Sequence, residues 1–289
     1  MSKKYFISSD IHSFYDEYMT ALNNAGFDIN NDEHIIVVLG DIFDRGKQPL
    51  EVYNFLKGLP KERRILIRGN HESLLRDLVK RGYPEKWDVS NGTLDTLYYM
   101  AGLPSEINCR VNFYKETDNV EYNSDKYKKI EEKYEAQRRT IWHNKVEEVI
   151  DWLYSDDWKN YLETDKYIFV HSWIPTHKEY KVNSKLSDYY TIEDSYEDNW
   201  REVGQKDWEE ATWGCPCENA KEGLNKTDKT IVCGHWHTSD FFRKLDGIID
   251  DYTLSNPIYK SDKYKIIGID ARTALTKRVN VLVLEEGEL

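Results

Sequence analysis

The chain has 289 residues, of which 39% are hydrophobic, and its 9 Trp and 21 Tyr allow one sizeable core rich in aromatic rings. Its formal net charge of −12 argues against binding to a long nucleic acid, because that binding depends on Lys and Arg releasing counterions from phosphates. No run reaches the roughly 18 apolar residues of a membrane span, and the first residues lack the apolar core of a signal peptide, so we expect a cytoplasmic protein.

Strands and helices alternate through the first third of the chain. The patterns predict strands over residues 5–9, 35–39 and 64–68, with helices over 14–25 and 48–58. This alternation is typical of a layered α/β fold, in which functional groups gather at the carboxyl ends of the strands.

Each of these three strands ends in side chains that can hold a metal ion or a phosphate. The second strand has the strongest ending, because two carboxylates and a guanidinium follow it within a few residues. Carboxylates suit metal ions, and a guanidinium beside them suits a phosphate. The three endings are Asp10 and His12, then Asp41, Asp44 and Arg45, then Asn70 and His71.

The second half of the chain repeats this arrangement. Strands are predicted over residues 167–170 and 230–233, and terminal strands over 265–269 and 279–284 are expected to close a second sheet. The acidic residues 188–198 suggest a surface loop. The first two of these strands end at His171, and at His235 and His237.

A long segment, from about residue 84 to 166, carries none of these strand endings. Its stretch 125–153 can place apolar residues on one helical face, with Glu and Lys four apart on the other side. No Pro, Gly or Ser tract divides the chain, so we predict a single domain, residues 1–289, with an inserted cap-like helical segment at about 84–166. Two roles stay open for it: a solvated helical pair that covers the sheet, and a cap whose Tyr and Trp rings select the substrate.

The 4 cysteines fit reduced thiols of the cytoplasm better than a disulfide framework. Cys215, Cys217 and Cys233 offer an alternative, a zinc site. That alternative is the weaker one, because the paired two-residue spacers of a structural zinc site are missing.

The five strand endings together predict one site at one edge of the sheets. A set with mixed oxygen and nitrogen ligands, and only one or two ligands from each strand, suits two adjacent divalent ions better than a closed structural zinc site. The ligand types alone do not choose between manganese, iron and zinc.

In their order along the chain these motifs resemble the calcineurin-like metallophosphoesterases, nearest the branch with the phosphoprotein phosphatases and the bacterial symmetrical dinucleoside tetraphosphatases. The resemblance spans nearly the whole chain apart from the insertion. It implies an α/β (α+β) four-layer fold, with two packed mixed β sheets flanked by helices. The motifs that carry it are Asp10-Ile-His12, Gly40-Asp-Ile-Phe-Asp-Arg-Gly46, Gly69-Asn-His-Glu72, Val170-His171 and Gly234-His235-Trp-His237.

The resemblance also implies a set of metal ligands. Two divalent ions are expected, Mn²⁺ and/or Fe, with Zn²⁺ also compatible. A hydroxide that bridges the ions would attack the phosphorus in line, without a covalent enzyme intermediate. The implied ligands are Asp10, His12 and His237 for one ion, Asn70, His171 and His235 for the other, and Asp41 as the shared ligand.

Three further residues receive roles from the resemblance. His71 would protonate the oxygen of the leaving group, and Asp44 would orient its imidazole. Arg45 would bind the phosphate with a bidentate fork that a lysine cannot reproduce. Asn70 would contact the substrate together with His71 and Arg45.

The sequence departs from this branch at one position. Relatives usually carry a second phosphate-binding arginine in a Trp-x-Arg stretch, whereas this chain has Trp213-Gly-Cys215. Cys215 stands in the place of that arginine. Arg201 is the only arginine between His171 and His235, so it is the candidate replacement.

We therefore predict a metal-dependent phosphoric ester hydrolase, with a serine/threonine-type protein phosphatase ranked first. The alternatives are a dinucleoside polyphosphate hydrolase, a phosphodiesterase and, from another class, a non-catalytic binding module on the same scaffold. The expected partners are a phosphorylated small molecule, a nucleotide or a phosphoprotein, and neither a long nucleic acid nor a membrane.

Overall fold

A computed structural model describes residues 2–142, 146–182, 190–248 and 256–289. The strands are β1 (Lys4–Ser8), β2 (His34–Leu39), β3 (Arg64–Ile67), β4 (Trp158–Lys159), β5 (Leu162–Glu163), β6 (Tyr167–Phe169), β7 (Thr176–Val182), β8 (Tyr190–Tyr196), β9 (Thr230–His237), β10 (Tyr259–Ser261), β11 (Ile266–Asp270) and β12 (Leu282–Glu285). The helices are α1 (Tyr15–Asn24), α2 (Pro49–Gly58), α3 (Asn70–Arg81), α4 (Lys86–Ser90), α5 (Thr93–Met100), α6 (Glu106–Thr117), α7 (Asp125–Thr140), α8 (Val146–Leu153), α9 (Gln205–Ala211), α10 (Pro216–Lys221), α11 (Thr238–Asp246) and α12 (Thr273–Thr276).

Two mixed sheets carry the predicted strand endings. The first has the order β12, β1, β2, β3, β4, and its strands are parallel except for β12, which runs antiparallel to β1. The second has the order β10, β11, β9, β6, β5, with a parallel centre and antiparallel edges. Strands β7 and β8 form a separate antiparallel hairpin.

The two sheets pack face to face, and helices cover their outer faces. Side chains such as Val37 of β2 and Val232 of β9 meet in one buried apolar cluster between the sheets. A second cluster joins the first sheet to α1, α2, α5 and α8, and a third joins the second sheet to α10 and α11. Strands buried on both faces are nearly continuous apolar runs, as in β2. The predicted four-layer α/β class is therefore confirmed.

Two predicted elements differ in the structure. The terminal strand β12 lies beside β1 in the first sheet, so the prediction that it closes the second sheet is wrong. Residues 190–196, predicted as part of a loop, form strand β8, while residues 183–189 lie outside the described residues. Acidic residues in β8 obscured its Tyr190, Thr191 and Ile192, which favour strand structure.

The segment from residue 84 to 166 has two parts. Helices α5 and α8 contribute buried side chains such as Leu97 and Trp152 to the core of the first sheet. Helices α6 and α7 pack on each other, with the rings of Phe113 and Tyr134 5.3 Å apart, and most of their other residues are exposed. The cap function of this segment stays a prediction.

In the part of the chain that the structure describes, no helix combines the length and the apolar character that crossing a membrane requires.

Candidate metal centre

Five strand ends, three from the first sheet and two from the second, bring their polar side chains to one edge of the sandwich. The backbone at this edge is strained, because several non-glycine residues adopt positive φ, at a cost of order 1 kcal/mol each. Gly40, with φ +82°, makes the turn that ends β2, and a Cβ atom there would lie 2.5 Å from the backbone nitrogen of Gly69. The site residues with positive φ are Asp10, His12, Asp41, Asp44, Arg45 and His235.

Two buried histidines are oriented by backbone carbonyls. Nδ1 of His12 lies 2.9 Å from the carbonyl oxygen of Phe43, and Nδ1 of His171 lies 2.7 Å from that of Leu39. Because a carbonyl oxygen only accepts, Nδ1 donates in each ring, and Nε2 is the nitrogen that faces the site. This is the usual arrangement of a histidine that binds a metal ion.

The donors form two groups that share one carboxylate. Ligand atoms of His12, Asp41 and His71 lie within 4.8 Å of one another, and so do those of Asp41, His171 and His235. The shared position of Asp41 agrees with the bridging role that the resemblance implied. One difference is that His71, predicted as the acid, is among the possible donors of the first group.

The structure brings the side chains of Asn70 and His171 together beside Asp41. Oδ1 of Asn70 lies 2.9 Å from Nε2 of His171, and Nε2 of His171 lies 3.4 Å from Oδ1 of Asp41. Nδ1 of His171 donates to Leu39, so Nε2 is the ring nitrogen that faces the oxygens of Asn70 and Asp41. One imidazole nitrogen and two oxygens this close together are a donor set that fits a divalent metal ion.

Asp10 completes the set on the side of His12. Its Oδ1 lies 3.8 Å from Nε2 of His12, and its Oδ2 accepts hydrogen bonds from the hydroxyl of Ser9 and, at 2.9 Å, from the backbone N–H of His235. Burial and the nearby charge of Asp41 raise the pKa of Asp10. A bound cation would offset this repulsion between buried carboxylates.

His237 lies at the same edge but outside both donor groups. Its ring faces Oδ2 of Asp240 at 3.7 Å and Oδ2 of Asp270 at 4.0 Å. Burial and the charge of Arg272 lower the pKa of His237 to about 4, so the ring is neutral and has a lone pair available. Its place as a ligand therefore remains a proposal.

Glu72 is a supporting residue to which the sequence analysis gave no role. Its buried carboxylate accepts hydrogen bonds from the backbone N–H groups of Asp41 and Ile42, both at 3.0 Å, and of Gly69 at 2.6 Å. These bonds tie the end of β2 to the start of α3. Glu72 therefore fixes the backbone from which Asp41 and Asn70 project.

His71 is held by a carboxylate that is itself held by two threonines. Nδ1 of His71 lies 2.6 Å from Oδ2 of Asp44, and the hydroxyls of Thr93 and Thr96 each donate to Asp44 at 2.7 Å. Burial alone would lower the pKa of His71, but Asp41 and Asp44 outweigh it and raise the pKa to about 9. Thr93 and Thr96, to which the sequence analysis gave no role, therefore hold the carboxylate that faces Nδ1 of His71.

Arg45 reaches into the centre of the site. Its Nη1 lies 2.9 Å from Nε2 of His12, and its Nη2 lies 3.2 Å from Nε2 of His71. The guanidinium stands directly beside the donor groups. It is therefore close enough to contact an anion bound among these donors, and its phosphate-binding role stays a prediction.

The cysteines do not form a metal site. In the described part of the chain, the groups of three or more possible donors contain no cysteine. A hydrogen bond from Cys217 and the nearby charge of Lys244 lower the pKa of the Cys215 thiol to about 7, against the effect of burial. The alternative zinc site is therefore not supported.

The structure does not bring Arg201 to this site. Its guanidinium pairs with Glu163 on the edge strand β5, at 2.6 and 2.7 Å, and lies 4.1 Å from the centre of the Trp200 ring. Arg201 therefore does not replace the missing phosphate arginine. Arg201 was suggested by its position in the sequence alone. Its ion pair with Glu163 depends on the tertiary fold.

We expect the Arg201→Ala variant to keep kcat/KM for p-nitrophenyl phosphate within about twofold of the unchanged protein. It loses only a partly exposed ion pair, which contributes about 0–1 kcal/mol to the free energy of unfolding. Steady-state kinetics and urea denaturation check both values. A tenfold rise in KM for p-nitrophenyl phosphate would instead show that Arg201 binds the phosphate.

Four of the possible metal donors, Asp10, Asp41, Asn70 and His235, line a cleft of about 280 Å³. The other residues that line it are Arg45, His71, Asn91, Trp213, Trp236, His237 and Asp240. The side chain of Trp213 is 53% exposed, and its ring centre lies 6.2 Å from that of His235. The cleft therefore has charged donors at its floor and aromatic rings in its wall.

Two packed sheets that bring two donor groups to a shared aspartate suit the binding of two metal ions. The chain belongs to the calcineurin-like phosphoesterase family, whose model matches residues 3–239. The family that the motifs predicted is therefore confirmed.

Among curated proteins, the chain is similar to two kinds of tetraphosphatase. It is 34% identical over 89 residues to the asymmetrical bis(5'-nucleosyl)-tetraphosphatase PrpE of Bacillus subtilis (strain 168), covering 28% of this chain and 36% of that protein. It is 38% identical over 68 residues to the symmetrical bis(5'-nucleosyl)-tetraphosphatase of Buchnera aphidicola subsp. Acyrthosiphon pisum, covering 24% and 23%. The chain thus matches well under half the length of these relatives.

Solved structures show a distant likeness. A cold-active protein-tyrosine phosphatase of a psychrophilic Shewanella species is 16% identical, with a TM-score of 0.46, over 99% of this chain and 76% of that chain. A serine/threonine phosphatase of Saccharomyces cerevisiae is 12% identical, with a TM-score of 0.41, over 93% and 67%. With TM-scores below 0.5, these likenesses do not bear on the substrate of this chain.

Proposed function

We propose that this protein hydrolyses phosphate monoesters at the cleft around Asp41, in the manner of the serine/threonine-type phosphatases. The observation that carries the proposal is the arrangement of Asp44, His71 and Arg45 beside two donor groups that share Asp41. His71 supplies a proton, and Arg45 supplies a fixed positive charge. Both are what the departure of an alkoxide from a phosphate requires.

The proposed metal ligands are the seven residues that the family resemblance implied. Two divalent ions, for which we propose Mn²⁺ or Fe, would supply Lewis acidity and a nucleophile from water at neutral pH. The orientation of His12 and His171, with Nε2 facing the site, and the donor set at Asn70 support this assignment. The proposed ligands are Asp10, His12, Asp41, Asn70, His171, His235 and His237.

The other side chains act directly on the substrate. Arg45 binds non-bridging oxygens of the phosphate and orients it. His71, whose pKa is raised by Asp41 and Asp44, gives the proton at Nε2 to the oxygen of the leaving group, while Asp44 holds Nδ1 on the other side of the ring. Thr93 and Thr96 keep Asp44 in place.

The proposal is tested by assaying the Mn²⁺-loaded protein on four substrates: p-nitrophenyl phosphate, bis(p-nitrophenyl) phosphate, a phosphoserine peptide and diadenosine tetraphosphate. We expect metal-dependent turnover of p-nitrophenyl phosphate and of the phosphoserine peptide. Activity on the diester alone would contradict the proposal and favour a phosphodiesterase.

A dinucleoside polyphosphate hydrolase is the second candidate, and the aromatic wall of the cleft favours it. Trp213 is exposed beside the donors, and Trp236 lines the same cleft, with Nζ of Lys244 4.4 Å from its ring centre. An exposed indole can stack on a nucleobase, which contributes about 1–3 kcal/mol. The names of the two tetraphosphatase relatives agree with such a substrate.

For this second candidate we expect the Trp213→Ala variant to raise KM for diadenosine tetraphosphate about tenfold, because a stacked base loses its platform. The effect on KM for p-nitrophenyl phosphate should be much smaller. Trp87→Ala is the matched control, since Trp87 is 48% exposed on α4 and does not line the cleft. Equal changes in KM for both substrates would show that Trp213 does not recognise the base.

We also propose a cytoplasmic location, which the four free cysteines support.

A further inference from the structure

The phosphate site has lost the second arginine that its motif pattern leads one to expect. Cys215 occupies that position in the sequence, and Arg201 is paired with Glu163 away from the cleft. A phosphate with two negative charges would then contact the guanidinium of Arg45, but neither Cys215 nor Arg201 would supply a second guanidinium. Another cation at the same edge would complete the site.

Arg272 lies at that edge. Strand β11 runs parallel to β9, and Asp270 of β11 is in register with His237 of β9. Arg272 follows two residues later, beyond the carboxyl end of the strand. The carboxylate of Asp270 connects the two neighbours, since Oδ2 lies 4.0 Å from Nε2 of His237 and Oδ1 accepts the backbone N–H of Arg272 at 2.7 Å.

The backbone of Arg272 shares the unusual conformation of the site residues. Its φ is 57° and its ψ is 51°, in the left-handed region that an arginine rarely adopts. Strained positions of this kind concentrate at functional sites, where the surrounding structure holds them. Of the other described non-glycine residues with positive φ, six belong to the metal centre, three are asparagines, and the remaining ones are Ser13, Lys265 and Lys277.

The guanidinium of Arg272 is also uncommitted. No described residue forms an ion pair or a hydrogen bond with it, and the side chain is only partly exposed. Its charge nevertheless acts on the ring of His237, whose pKa it helps to lower. A partly buried arginine without a carboxylate partner, close to a cleft residue, is suited to an anionic ligand.

We propose that Arg272 is the second guanidinium that binds the phosphate of the substrate, on the side of the cleft formed by His237. Arg45 serves the side formed by His12 and His71. Two guanidinium groups that bind one phosphate fix its orientation and also balance its negative charge. This inference rests on the proposed function and identifies a further substrate-binding residue for it.

The test compares Arg272→Ala and Arg272→Gln with Arg278→Ala. Arg278 is an exposed arginine six residues further along, so its removal changes the net charge equally without touching the cleft. Binding of inorganic phosphate to each Mn²⁺-loaded protein is measured by calorimetry, and the KM for p-nitrophenyl phosphate by kinetics. Metal content and melting temperature are recorded for every variant.

We expect both Arg272 variants to weaken phosphate binding and raise KM roughly tenfold to a hundredfold, as the loss of charged hydrogen bonds predicts. Metal content should stay unchanged, and Arg278→Ala should behave like the unchanged protein. Equal phosphate binding in Arg272→Gln and Arg278→Ala would overturn the inference, and so would loss of metal from Arg272→Gln. If the unchanged protein binds phosphate but hydrolyses no phosphate ester, the proposed function fails, while the binding comparison still decides the role of Arg272.

Discussion

Replacing Asp41 by Asn should lower kcat/KM for phosphate esters at least about a thousandfold. Asp41 is the one carboxylate common to both donor groups, so the substitution removes a negative charge that two cations would share. Metal ions contribute several kcal/mol of charge stabilisation in the transition state, and each 1.36 kcal/mol is a factor of about ten in rate.

The same substitution should leave the fold intact. Asn keeps the oxygen that accepts the backbone N–H of His71 at 3.0 Å, and loss of the charge relieves repulsion with Asp10 and Glu72, whose pKa values it helps to raise. We therefore expect Mn²⁺ to raise the melting temperature of the unchanged protein but not that of Asp41→Asn.

Asp32→Asn is the matched control for this prediction, because Asp32 is 93% exposed and its removal alters the net charge equally. It should retain both its activity and its response to Mn²⁺. If Asp41→Asn lost metal binding but kept the biological role of the protein, a non-catalytic binding module would be the better account.

Replacing His71 by Gln should reduce kcat by a factor that depends on the leaving group. An alkoxide, as from phosphoserine, needs a proton, so we expect a loss of about 10² to 10⁴ with a phosphoserine peptide. p-Nitrophenolate leaves without protonation, and its release should slow much less. Stopped-time assays of the two substrates under equal metal loading measure this ratio.

His71→Gln also decides between two roles for the ring, because His71 belongs to one of the two donor groups. If the metal content is unchanged and the loss of kcat depends on the leaving group, His71 acts as the acid. Loss of one metal, with equal slowing of both substrates, would instead make His71 a ligand. Asp44→Asn removes the charge that lies 2.6 Å from Nδ1 of His71. It should lower kcat with the same dependence on the leaving group as His71→Gln, but by a smaller factor.

The sequence predicted the parts of the site that local patterns encode. A buried parallel strand is a recognisable apolar run, and the polar residues at its end fall at a predictable edge, which is why Asp10, Asp41, Asn70 and His171 meet as expected. The alternation of strands and helices predicted a layered α/β fold, and the family resemblance implied its four layers.

The missed features all depend on contacts between distant segments. Thr93 and Thr96 reach Asp44 from a helix about fifty positions later, and no local pattern marks a hydroxyl that supports a carboxylate. Arg201 was suggested by chain order, but Glu163 of another strand pairs with it. The partner of β12 was likewise set by packing between the sheets, to which Leu282 contributes.

Anomalous diffraction from crystals grown with Mn²⁺ and inorganic phosphate tests the central claim most directly. We predict two manganese peaks beside the carboxylate of Asp41, with the phosphate in contact with Arg45. A single peak, or manganese bound away from Asp41, would contradict it.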